Sequence, residues 1–354
     1  MNSEEIKRMH YDVIDGKTNY IPLIINTGVK NPINLTPYES MINPEKHMQA
    51  TLNNRANDIL FPADREIVVE SNYLENLIPS MFGAETHISP GGLIAVKPCF
   101  DKIPEADELQ IGKGALDKAA KHLLTLKKLC PESLKLAITR FMSPLDYAVV
   151  MRGGDFYADI ISEPEKSMEF MNKIADVTLE TFYYMKGLLG ENIFEQLSVA
   201  RGLYVRGTRL TGDSIVNLSP ATIEKVMIPV FKRFHDALSG LMLHYCCLPS
   251  PSGHVLPTLA KFPGVVDTVD NWQGIDTFFN EKKDGLTQDK VAICFDISYE
   301  EASDIEKLFE QPIFKTVPRK GGRGLFIGVC SPTLDASKRL YDKWQIYFGK
   351  KNII

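Results

Sequence analysis

The second half of the chain repeats one unit: a short apolar run, then a stretch with helical spacing. The runs are "QLSVA" (196–200), "LMLHYC" (241–246), "GVVDTVD" (264–270), "KVAICFD" (290–296) and "GLFIGVC" (324–330). One intervening stretch opens at Ser219-Pro220, a capping residue followed by proline at the first helical position. Its apolar face runs Ile223, Val226, Met227, Val230, Phe231, Phe234 and Leu238. Pro229 is expected to kink this helix and Gly240 to end it. Further helices are expected at 299–309 and 333–348. Strands alternating with helices imply an α/β fold with a mostly parallel sheet.

The first half adds "DILFPAD" (58–64) and "LKLAITR" (134–140), with less regular runs at "YIPLIIN" (20–26) and "GLIAVKP" (92–98). These runs best supply the strands of a closed (β/α)8 TIM barrel with N-terminal additions. The expectation is one barrel domain over 1–354, with 1–57 as an extension packed on it. A doubly wound sheet is the alternative. It lacks the glycine-rich phosphate loop after an early strand, and "GGRG" at 321–324 precedes a strand instead of opening a helix.

At 354 residues and 44% hydrophobic the chain can bury a large core. Its net charge is −5, with acids and bases mixed along it, so it offers no basic surface for nucleic acid. No apolar run reaches the roughly 20 residues of a membrane helix. The first residues, "MNSEEIKRMHYDVIDGK", are polar, and a cytoplasmic location is expected. Six cysteines in this length make no disulfide framework, so clustered thiols become metal or catalytic candidates.

In a β/α barrel, chemistry gathers where strands end. The expected ends carry His244 and Cys246, Asp267 and Asp270, Cys294 and Asp296, and Cys330. His244 and Cys246 are two apart and share one face of an extended strand, while Cys247 points the other way. An imidazole, a thiolate and a distant thiolate make three ligands for zinc, with a fourth position for water, substrate or a carboxylate. The competing reading is that cysteine is often buried simply as a small apolar residue. Cys247 and Cys294 read as core, and Cys99 and Cys130 have no partner pattern. His10, His47, His87, His122 and His235 read as surface or structural residues. His254 lies just beyond the proposed metal loop.

Several longer segments carry a resemblance. They are "FGAETHISPGGLIAVKP" (82–98), "SPLDYAVVMRGGDFYADIISEPEKSMEFM" (143–171), "TGDSIVNLSPATIEKVMIPVFKRF" (211–234) and "LHYCC" (243–247). In order and spacing they are similar to segments of the uroporphyrinogen decarboxylase superfamily, a single-barrel family, over about residues 58–348. The tetrapyrrole decarboxylases of that family carry an arginine-rich N-terminal motif. The region here reads "NYIPLIINTGVKNPINL" (19–35), with no arginine to clamp propionates. The other branch holds zinc methyltransferases that work with corrinoid proteins and carry H-x-C with a later cysteine in the last strand. His244, Cys246 and Cys330 match that pattern. The glycine that follows H-x-C in the family is Cys247 here, and the loop "CLPSPSGH" (247–254) is unlike the family's.

The resemblance implies zinc held by His244, Cys246 and Cys330, with Asp270 or Asp267 as fourth ligand or as acceptor for His244. It implies a methyl group moved, in either direction, between a corrinoid (methylcobalamin) protein and a thiol or other small nucleophile. That partner would dock over 247–254 and the Asp213 segment. Arg140, Arg201, Tyr204 and Asp213 are the expected substrate contacts. The alternatives are a tetrapyrrole carboxy-lyase and a non-metal small-molecule-binding barrel, in which Asp213 and the arginines would carry the chemistry.

Overall fold

The structure, a computed structural model, describes residues 1–73, 76–105, 108–190, 197–198, 202–245, 253–270, 291–310 and 324–351. Its wall is built from β1 (Leu23–Thr27), β2 (Val68–Glu70), β3 (Lys135–Ala137), β4 (Phe141–Met142), β5 (Thr208–Thr211), β6 (Leu241–His244), β7 (Thr268–Asp270), β8 (Ala292–Ile297) and β9 (Leu325–Ser331). Seven of these form one parallel sheet in the order β1-β9-β8-β7-β6-β5-β4. β3, three residues before β4, pairs in parallel with β2 as a separate two-stranded sheet. The fold is α/β and TIM-barrel-like, as expected.

The edge of β1 away from β9 is met by side chains. Leu23 N–H donates to Asp64 Oδ2 at 2.9 Å and Thr27 N–H to Asp58 Oδ1 at 2.7 Å. Both aspartates belong to the run "DILFPAD", expected to be a strand. It is instead the short helix Ala56–Leu60 and a turn, and β2 comes later. The reason is chemical: its two buried carboxylates satisfy backbone donors of β1 that would otherwise be orphaned.

Three other expectations need correction. "YIPLIIN" supplies β1, so residues 1–57 contribute a strand to the wall and are not only an extension packed on it. "GLIAVKP" joins an antiparallel hairpin, Thr86–Ile88 with Ile94–Val96. Within "QLSVA", Leu197–Ser198 pairs antiparallel with Leu203–Tyr204, and the wall strand is β5, further along the chain.

The strands' period of two separates two apolar layers. Leu23, Ile25, Leu210, Leu241, Leu243, Val269, Ile293, Phe295, Leu325, Ile327 and Val329 face outward into the main core with the helices. Ile24, Met242, Ala292, Cys294 and Phe326 face inward and pack with Val13, Ile14, Leu203 and Val205. Val13 and Ile14 end the helix Ser3–Ile14, which opens with a capping box on Asn2. That helix plugs the end of the barrel where strands begin, and Gly324 N–H donates to the Val13 carbonyl at 3.0 Å.

The helix from Ser219 is modified where Pro229 was expected to kink it. Ile223–Met227 form a π turn, and Ile228 N–H reaches the Ile223 carbonyl five residues back. Proline has no N–H and its ring crowds the carbonyl four residues earlier, so a widened turn just before it relieves both problems. Ser239, not Gly240, takes the left-handed cap, at φ 60°. Gly240 is needed because Arg206 Cβ lies 2.2 Å from where its own Cβ would be.

Candidate active site at the barrel mouth

Following the inner face toward the strand ends, apolar residues give way to polar ones. Met242 is followed on that face by His244, Ile24 by Asn26, and Phe326 by Gly328 and Cys330. His244 is paired in register with Thr211 of β5 and Asp270 of β7.

His244 is buried between two carboxylates. Its Nδ1 lies 3.6 Å from Asp270 Oδ2, and its Nε2 lies 3.9 Å from Asp213 Oδ1. Asp270 is fully buried. Its Oδ2 accepts Arg209 Nε at 3.1 Å and lies 3.1 Å from Arg209 Nη2. Arg209 Nη1 also donates to Thr211 Oγ1 at 3.2 Å. Asp270 therefore backs the histidine and is engaged by a guanidinium. Asp213 follows β5 and is half-exposed at the mouth. Its turn is anchored by Gly212 N–H donating to the His244 carbonyl at 2.7 Å.

On the neighbouring side, Arg140 lies between β3 and β4, with Nε 2.9 Å from Glu70 Oε1. Burial raises the Glu70 carboxyl above its ordinary range, while Arg140 and Arg209 oppose that shift. Glu70 and Arg140 border a cavity of about 620 Å³ that is also lined by Asn34, His47, Asn54 and Arg55.

Cys330 is exposed near the end of β9 and lines a second cavity, of about 580 Å³, with Asn26, Ser298 and Tyr299. Its register partner Asn26 accepts from Arg55 Nη1 at 2.8 Å and Arg65 Nη1 at 2.7 Å. Both guanidiniums also pair with Asp58, at 3.2 and 2.6 Å. Burial pushes the Arg65 guanidinium down to about 10, opposed by the Asp58 carboxylate. Arg65 lies within electrostatic reach of Cys330.

β6 and β9 are three strand positions apart, about 14 Å along the wall. His244 and Cys330 thus stand on one rim with two strands between theirs. Among the described residues, no group of three or more His, Cys, Asp or Glu side chains is arranged to hold a metal ion. Cys246, the residue expected to complete the set, lies outside the described residues, as do Cys247 and Arg201.

The structure does not bring Tyr204 and Asp267 to this rim. Tyr204 precedes β5, is buried against the helix Ser3–Ile14 and donates its hydroxyl to Glu66 Oε1 at 2.9 Å. Its N–H donates to His10 Nδ1 at 3.0 Å. Asp267 lies at the beginning of β7, where its Oδ2 accepts Leu241 N–H at 3.2 Å and faces His235 Nε2, also at 3.2 Å. Cys294 is in the buried inner layer, as expected. The ring Nε2 of His254 bonds the Leu218 carbonyl at 2.8 Å, a structural tie between two loops.

Sequence reasoning missed Arg209, Glu70 and Asp146. Arg209 had a signal: in "TRLT" it alternates with Leu210, so a charge lies on the inner face of a strand.

No family model matches this chain, and no curated protein matches it. Among solved structures, a methyltransferase from Methanosarcina mazei is similar, with a TM-score of 0.59 at 13% identity over 96% of this chain and 98% of that one. At that identity the likeness is one of fold. Among the described residues, no helix is long and apolar enough to cross a membrane.

Proposed function

We propose that the chain is a methyltransferase whose reacting centre is a zinc site at the barrel mouth. His244, Cys246 and Cys330 would hold the metal, and a methyl group would pass between a corrinoid carried by a partner protein and a thiol or other small nucleophile. The observation that carries this reading is the setting of His244. A carboxylate engaged by Arg209 stands behind Nδ1, while Nε2 is directed to the half-exposed Asp213 side of the rim. An acceptor behind one ring nitrogen favours the tautomer that turns the other nitrogen's lone pair outward. The donor set itself, one imidazole and two thiols, is of the kind that zinc takes. The sequence resemblance and the name of the structural neighbour point to the same reaction class.

Bound zinc would lower the pKa of a coordinated thiol and keep it nucleophilic near neutral pH. The chain's own contribution is placement. Arg209 fixes Asp270, Asp270 backs His244, and the 620 Å³ cavity beside Glu70 and Arg140 offers polar contacts for the small substrate. The deciding assay mixes zinc-loaded protein with methylcobalamin, free or on a corrinoid protein, and a panel of thiols, and follows the cobalt absorption band. Spectral change with one acceptor is expected. No change in either direction with any acceptor would contradict the reading.

A non-metal reading rests on one observation, the 3.9 Å approach of Asp213 to His244 Nε2, which could serve acid–base chemistry without zinc. It predicts turnover that survives chelation.

A further inference from the structure

Asp146 lies in the first turn of the helix Pro144–Arg152 and is only 4% exposed. Its carboxyl grips two segments. Oδ1 accepts the Ser214 N–H at 2.9 Å, and Oδ2 accepts the Ser143 hydroxyl. Ser143 is itself fixed, because its N–H donates to the carbonyl of Thr211, the last residue of β5, at 2.6 Å. The adjoining Gly212 N–H donates to the His244 carbonyl at 2.7 Å. Asp213 sits between these two anchors, and its Oδ1 lies 3.9 Å from His244 Nε2.

The arrangement is more than packing. A helix needs only the serine cap here, and Ser143 supplies it by accepting the Asp146 N–H at 3.3 Å. The carboxyl reaches past that cap to a neighbouring turn. Asp213 is a charged group that acts on it. The cation of its own helix, Arg152, pairs with Asp155 and Asp159 at the far end. Burial, reinforced by the Asp213 charge and opposed by the bonds from Ser143 and Ser214, pushes Asp146 up to about 7.

We propose that Asp146 is the positioning residue for Asp213, holding the turn Gly212–Ser214 so that the Asp213 carboxylate faces His244. When its proton leaves to solvent, the pair carries two adjacent negative charges. When the proton is held, the turn is braced with one. The orientation of Asp213 thereby depends on pH near neutrality. The inference rests on the proposed function only in taking Asp213 and His244 as the working face.

The test compares Asp146→Ala with Asp146→Asn, which keeps an oxygen acceptor for Ser214 N–H but cannot ionise. The first readout is hydrogen exchange of the Ser214 amide. Exchange about tenfold faster in the alanine variant and near wild type in the asparagine variant is expected, as for loss of one buried hydrogen bond. The second is the pH profile of turnover. An inflection near pH 7 in the wild type should vanish in Asp146→Asn, and Asp146→Ala should lower kcat with KM little changed. Equal Ser214 protection in all three proteins would overturn the proposal, as would an unchanged inflection in Asp146→Asn. Should the alanine variant not fold, Ser143→Ala tests the same grip, with Ser214 exchange again expected to rise. Amide exchange needs no substrate, so failure to find a methyl acceptor would count against the proposed reaction and leave the Asp146 result standing.

Discussion

His244 and Asp270 end neighbouring parallel strands in register, and Nδ1 of the histidine lies 3.6 Å from Oδ2 of the aspartate. That oxygen is simultaneously engaged by Arg209, so three side chains from β5, β6 and β7 form one buried unit. Removing the carboxylate leaves a buried guanidinium without its hydrogen-bonded counter-charge. Asp270→Ala should cost about 3–5 kcal/mol of stability, whereas replacing Arg209 and Asp270 together by apolar residues of similar size should cost less. Denaturant titration of the single and double variants checks this. Additive losses would contradict the unit.

Tyr204 and Arg140 separate the two ends of the barrel. Tyr204→Phe removes a hydroxyl whose partner is Glu66, far from the mouth, and should lower stability by about 1 kcal/mol with turnover unchanged. Arg140→Met removes the partner of Glu70 at the cavity and should lower turnover at least tenfold. Steady-state kinetics on both variants gives the comparison, and the reverse pattern would move the working site to the other end of the barrel.

His10 gives a prediction in pH. Burial pushes it down to about 4, against an ordinary value of 6.5. The unfolded chain therefore binds a proton that the folded chain refuses between those values. The sign follows: this contribution is intact above about 6.5 and is lost as pH falls toward 4. The loss should be on the order of 3 kcal/mol. His10→Gln should flatten that part of the stability curve, read from thermal midpoints between pH 4 and 7. A slope as steep as the wild type's would contradict the assignment.

The barrel was legible in the sequence because parallel strands buried on both faces read as continuous apolar runs, and four such runs mark β6 to β9 correctly. The first half was harder to read. β2 is three residues long, and its neighbourhood is dominated by Asp58 and Asp64, whose buried polar roles resemble nothing periodic. His244 and Cys330 were legible because both sit where an apolar run stops. Tyr204 was misread because the strand it adjoins was placed too early, so the barrel end it occupies was reversed. Glu70 and Asp146 gave no signal of their own, since each matters through a partner distant in sequence.

Zinc content tests the central claim most directly. Protein purified without chelator should carry about one zinc per chain. His244→Ala and the double variant Cys246→Ser with Cys330→Ser should lose it while keeping the wild-type circular dichroism spectrum. Full zinc retention in the folded double variant would contradict the site.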